Sequence, residues 1–199
     1  MNPVNMMCRF FFLLLIMLLV GCEKNGQPNR FHASDVTGKY AQAGFHLTDH
    51  NGQPRSLADF RGKVVVLFFG YTHCPDVCPT KLADLAQTLR ILGPDASRVQ
   101  VLFVTLDPER DTRELLAQFV PAFHPAFIGL YGDMQATAEV AKNFLADYRK
   151  NPTKNGYTLD HTTFSYLLDT QGKVRLLAGE RESSEWLAQD IRLLLASAP

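Results

Sequence analysis

Cys74 and Cys78 lie four positions apart in Thr72-His73-Cys74-Pro75-Asp76-Val77-Cys78-Pro79. The chain has four cysteines, and the other two, Cys8 and Cys22, fall in or at the end of an apolar leader. That leaves one thiol pair for the rest of the chain. Thiols this close either share a ligand or exchange electrons as a dithiol and a disulfide. A static disulfide is the weaker reading. Chain-entropy stabilisation grows with loop length, so a five-residue ring makes a poor staple.

As a metal site, two thiolates select soft ions: copper(I), zinc or an iron–sulfur cluster. A closed zinc site needs four protein ligands, and no further cysteine is available outside the leader. Two thiolates and one imidazole make a three-coordinate soft site that suits copper(I). A further oxygen ligand would extend it to copper(II). The histidines are His32, His46, His50, His73, His124 and His161. His32 falls in a polar tether, His46 and His50 bracket a turn and read as surface residues, and His124 reads as a loop residue. His73 adjoins Cys74 with its side chain expected on the opposite side. Composition ranks His161 no higher than these; its place between a long polar stretch and a strand is suggestive.

The elements that position the thiols follow from periodicity. Lys63 to Gly70 (KVVVLFFG) is a continuous apolar run that predicts a central strand, and the cysteines follow it directly. Pro79 suits a first helical position, and a residue before proline is pushed out of the α region. Hence Cys78 is expected to cap a helix reaching Leu92, with Cys74 in the turn above it, where helix dipoles lower thiol pKa values. Val99 to Leu106 predicts a second buried strand. Asp111 to Val120 and Met134 to Tyr148 read as helices, with a short strand at Phe127 to Leu130. Arg149 to Asp160 reads as a polar loop. Hairpins are expected around Asn51-Gly52 and Asp169-Thr170-Gln171-Gly172. A closing helix runs from Ser183 to Leu195, with Ser184 as its N-cap. Strands alternating with helices predict an α/β fold. A thiol pair between the first central strand and the next helix predicts the thioredoxin-like form: a central sheet flanked by helices, with an N-terminal hairpin.

Charge is balanced, with Lys plus Arg and Asp plus Glu at 20 each, so no basic field is present to gather nucleic acid. At 199 residues the chain suits one well-buried core. Residues 1–22 read as a signal peptide. The apolar run Phe10 to Val20 would cover roughly 16 Å as a helix, against about 30 Å of hydrocarbon. Leu19-Val20-Gly21-Cys22 resembles a bacterial lipobox, which makes Cys22 the candidate lipidation site. Residues 23–34 read as a flexible tether and 35–199 as the folded domain. This arrangement puts the domain on the periplasmic side of a bacterial membrane, held by a lipid anchor, in a compartment that does not keep thiols reduced for free.

Tyr71 to Pro79 closely resembles the active-site segment of the Sco/SenC family of copper-handling, thioredoxin-like proteins. Val104-Thr105-Leu106-Asp107-Pro108-Glu109-Arg110-Asp111-Thr112, Ile128 to Gly132 and Tyr157-Thr158-Leu159-Asp160-His161-Thr162-Thr163 resemble further segments of that family in the same order. The resemblance implies Cys74, Cys78 and His161 as copper ligands, with Cys74 and Cys78 also forming a redox disulfide. It implies supporting roles for Asp160, the acidic residue before the histidine, and for Asp107. It implies copper delivery to the dinuclear copper centre of cytochrome c oxidase, with the oxidase's copper-binding subunit as partner and a copper donor or thiol reductant upstream. The alternative is a thiol–disulfide oxidoreductase acting on that subunit's cysteines or on another exported protein. A peroxidase fits less well: peroxiredoxins place Thr or Ser three residues before the attacking cysteine, where this chain has Tyr71. Family members are usually tethered by an uncleaved N-terminal helix, from which the short leader with a lipobox departs.

Overall fold

The computed structural model describes residues 31–180 and 182–197. The leader with Cys8 and Cys22, and tether residues 23–30, lie outside the described residues. The strands are β1 (Ser34–Asp35), β2 (His46–Asp49), β3 (Pro54–Ser56), β4 (Val64–Gly70), β5 (Val99–Thr105), β6 (Ile128–Tyr131), β7 (Tyr148–Thr153), β8 (Gly156–His161), β9 (Ser165–Leu168) and β10 (Val174–Ala178). The helices are α1 (Val77–Leu92), α2 (Arg113–Phe119), α3 (Met134–Asn143) and α4 (Ser184–Ala196).

Eight strands form one sheet in the order β1-β10-β9-β4-β5-β6-β2-β3. Every residue of β4 and β5 is buried. The two strands pair in parallel from Val64 opposite Val99 to Gly70 opposite Thr105. Both faces of each strand are covered, with Gln100 and Thr105 the polar exceptions in β5, so both strands sit at the centre of the sheet. Parallel β6 extends the sheet on one side and antiparallel β9 on the other. Helices flank the sheet, giving the thioredoxin-like form the sequence predicts. The expected hairpins are β2–β3 and β9–β10. No helix among the described residues is long and apolar enough to cross a membrane.

Several expectations are corrected. The helix after the thiols begins at Val77 with Asp76 at its N-cap position, so Cys78 lies inside the first turn rather than capping it. Pro79 is accommodated because the first turn's N–H groups have no intrahelical partner to lose. Ser183, not Ser184, caps α4, accepting from the Trp186 N–H. The helix from Met134 stops at Asn143, and Tyr148 belongs to a strand. The stretch read as a polar loop is the β7–β8 hairpin, a separate two-stranded sheet. His50 is buried, and its Nδ1 accepts from the Gly129 N–H at 2.9 Å. Ala33 is buried as well: the His32 and Ala33 N–H groups donate to the carboxylate of buried Asp190 on α4. Packing thus begins ahead of residue 35.

Candidate metal centre

The thiols rise from the carboxyl end of β4, where active groups of such sheets collect. Gly70 ends that strand, and its lack of a side chain is what admits the second thiol. A Cβ built there would stand 2.9 Å from Cys78 Sγ and 2.7 Å from the Phe103 ring. Cys78 is fully buried against the strand, and Cys74, in the turn before α1, is half-buried. Both are free thiols. The Cys78 N–H donates to Cys74 Sγ at 3.4 Å, folding the turn back on the helix N-terminus.

That turn is held from below by Asp111. Its buried carboxylate accepts from the Thr72 N–H at 2.9 Å, the Thr72 hydroxyl at 2.6 Å and the Thr105 hydroxyl at 2.5 Å. The Asp107 N–H donates to the same Thr105 hydroxyl. Sequence reasoning assigned Asp111 no role, though an acidic pair four residues apart just after a buried strand is a visible signal. His73 lies on the exposed side of this loop, 3.6 Å from Asp111.

His161 arrives from β8. Along that strand Tyr157, Leu159 and His161 share one face and Thr158 and Asp160 the other. The inner face turns toward the thiols, and Leu159 is buried. The His161 ring lies edge-on to Tyr71 and to Phe68, at centroid distances of 5.9 and 6.2 Å. Its Nδ1 is 2.9 Å from the Thr162 carbonyl oxygen, which can only accept, so Nδ1 carries the proton. The lone pair of Nε2 is then free and faces Cys78 Sγ at 3.5 Å.

One ligand atom each from Cys74, Cys78 and His161 lies within 4.8 Å of the others. Soft-metal bonds of about 2.3 Å to sulfur and 2.0 Å to nitrogen, at trigonal to tetrahedral angles, place such atoms roughly 3.5–3.7 Å apart. The Cys78–His161 pair already meets that spacing. No fourth ligand joins the cluster among the described residues. Asp160 lies on the outer face of the hairpin and pairs with Arg149 at 3.4 Å, both largely exposed. Asp107 has both carboxylate oxygens taken, one by Arg110 and one by Tyr157.

Electrostatics correct one expectation. Burial pushes the Cys78 thiol far up from its ordinary range. Desolvation of a charge in an apolar pocket outweighs the helix N-terminus here. Burial also holds His161 below the usual histidine range, so the imidazole is neutral at physiological pH, the form that binds a metal.

The fold and the site define a thioredoxin-like protein with a dithiol–imidazole centre suited to a soft metal ion. The SCO1/SenC family model matches residues 34–196, and the chain belongs to that family. It is 41% identical over 160 residues to the mitochondrial protein SCO2 homolog of Mus musculus. That match covers 78% of this chain and 63% of the relative, so the chain spans less than two thirds of the mouse protein's length. Among solved structures, copper-bound ScoI of Bradyrhizobium japonicum is 39% identical with a TM-score of 0.71, covering 76% of this chain and 97% of that one. Apo Sco1 of Thermus thermophilus is 36% identical with a TM-score of 0.74, covering 85% and 99%.

Proposed function

We propose that the protein is a copper carrier that binds copper(I), its cargo, through Cys74, Cys78 and His161. It delivers the ion to the copper-binding subunit of cytochrome c oxidase during assembly of the dinuclear centre. The observation that carries this reading is the His161 ring. Its proton is committed to Thr162, its free nitrogen faces a buried sulfur at 3.5 Å, and no carboxylate stands among the three donors. Such a donor set favours a soft ion over a hard one. Cys74, the more accessible ligand, is the natural point of entry for an incoming donor or acceptor thiol. Lipidation at Cys22 and a periplasmic location on a bacterial membrane complete the proposal; they rest on the leader's Leu19-Val20-Gly21-Cys22.

A second reading is favoured by the asymmetry of the thiols. A half-exposed Cys74 above a buried Cys78 fits attack on a partner disulfide by one thiol and resolution by the other. The two readings part at His161, which exchange chemistry does not need. Anaerobic copper(I) titration with mass spectrometry is expected to find one ion per reduced domain. The ion should be lost in Cys74→Ser and Cys78→Ser and held more weakly in His161→Ala. Equal copper content in all four proteins would refute the carrier. A His161→Ala protein that retained full activity in oxidase assembly would favour the reductase.

A further inference from the structure

His161 is the one donor that does not belong to the strand–turn–helix carrying the thiols. It sits on a hairpin whose strands bond only to each other and not to the eight-stranded sheet. What holds this arm over the thiols is a compact polar contact with the loop after β5, centred on Tyr157 and flanked by the Lys150–Glu109 ion pair. The Tyr157 hydroxyl has a single proton and lies 2.7 Å from Asp107 Oδ1 and 3.2 Å from Glu109 Oε2. The shorter distance assigns the proton to Asp107. The Arg110 guanidinium lies over the Tyr157 ring at 3.7 Å and over the Tyr71 ring at 5.8 Å. Its Nη1 donates to the Tyr157 carbonyl and its Nε to Asp107. Tyr71 in turn stands edge-on to His161. A continuous chain of contacts therefore runs from Tyr157 through Arg110 and Tyr71 to the edge of the imidazole.

Asp107 is 1% exposed and would be costly to leave unpaired. With Arg110 and Tyr157 in place both of its oxygens are paired, and lifting the arm would break the Tyr157 bond and leave one buried oxygen without its partner. We propose that Asp107, Arg110 and Tyr157 form a positioning unit that sets the distance between His161 Nε2 and Cys78 Sγ. The unit governs whether copper is held by three ligands or by two thiolates alone. Tyr157 and His161 share one face of β8, so a shift of the tyrosine by one register position would turn the histidine away from the site.

The inference rests on the copper reading for its consequence but not for its structural content, and the test separates the two. Tyr157→Phe deletes one oxygen and keeps the ring; Arg110→Lys keeps the charge and removes the flat stack. In the metal-free full-length protein, hydrogen exchange of the β7–β8 amides is expected to quicken by roughly tenfold to a hundredfold in both variants. Amides of β4 and β5 should stay as in the parent. In copper(II)-loaded protein, the imidazole-nitrogen coupling seen by pulsed electron paramagnetic resonance should be lost while the thiolate-to-copper charge-transfer band remains. Parental exchange together with parental coupling would overturn the proposal. So would a parallel loss of both signatures, which marks general unfolding. If Arg110→Lys fails to fold, Tyr157→Phe decides alone. If the parent protein takes up no copper, the function proposed above fails and the exchange measurement still judges the positioning unit.

Discussion

Substituting Gly70 by alanine adds one methyl group at the most crowded point of the site. The new carbon would stand 2.9 Å from Cys78 Sγ and 2.7 Å from the Phe103 ring. Ordinary contacts lie at about 3.5–4.0 Å, so each neighbour must retreat by roughly 0.7 Å or more. Phe103 has little room, tilted against Phe68 on one side and Phe119 on the other. The sulfur therefore takes much of the displacement. A metal site tolerates about 0.2 Å in its bond lengths, several times less than this shift. Overpacking of this kind costs about 1–3 kcal/mol, or roughly 2–12 °C in melting temperature for a domain of this size. The expected result is a modest fall in melting temperature with a loss of copper(I) affinity of at least about tenfold, read by competition with a chromogenic chelator. Gly129→Ala is the control. Its Cβ would meet Val120 Cγ2 at 3.0 Å and His50 Nδ1 at 3.5 Å; it should lose stability without losing copper. Parental affinity in Gly70→Ala would refute the claim that the bare strand end fixes the sulfur.

Further expectations follow from the buried thiol and its loop. Because burial raises the Cys78 thiol pKa, its proton must leave when a metal binds, so copper(I) affinity rises with pH across neutrality. Calorimetry in buffers of different ionisation enthalpy should register at least one proton released, and none would contradict the assignment. In the metal-free protein the folded state keeps this proton where the unfolded thiol, near 9.0, loses its own. Stability is thus complete below about pH 9 and falls as pH rises beyond it; Cys78→Ser should flatten that alkaline loss in denaturant titrations. Asp111→Ala strands three donors beneath the dithiol turn. It should cost about 2–4 kcal/mol in chemical unfolding and speed alkylation of Cys74. An alkylation rate equal to the parent's would show that Asp111 does not hold the turn.

The central strands were legible because β4 is apolar throughout and β5 is broken only by Gln100 and the terminal Thr105, short β-branched runs that suit a strand covered on both faces. The thiol pair was legible from its spacing and its place after β4. The arm that brings His161 was not read as structure. Pro152, Asn155 and Gly156 are turn formers, and charged residues hide the strand between them. The usable signal was the alternation of Tyr157, Leu159 and His161 with Thr158 and Asp160. A proline is tolerable in β7 because a two-stranded sheet consists only of edges. The helix dipole argument for a low thiol pKa failed at Cys78 for a reason no local pattern contains. Gly70 lets the sulfur sink against the strand, and the depth of a pocket is a property of tertiary packing. His50 was misread for the same reason, since its partner, the Gly129 N–H, lies 79 residues away.

The site's donors come from two pieces of chain separated by 83 residues, one anchored on the central strand β4 and one a self-contained hairpin. The carrier proposed above would have to release what it holds, and a cage built on one element would have to break all its bonds together. Here the surrender can be sequential. Lifting the hairpin would withdraw the imidazole alone and would leave an ion held by the two sulfurs, open on one flank to a ligand from the acceptor. An acceptor ligand binding at that flank would restore the lost bond before either sulfur let go, so the ion would keep at least two ligands throughout.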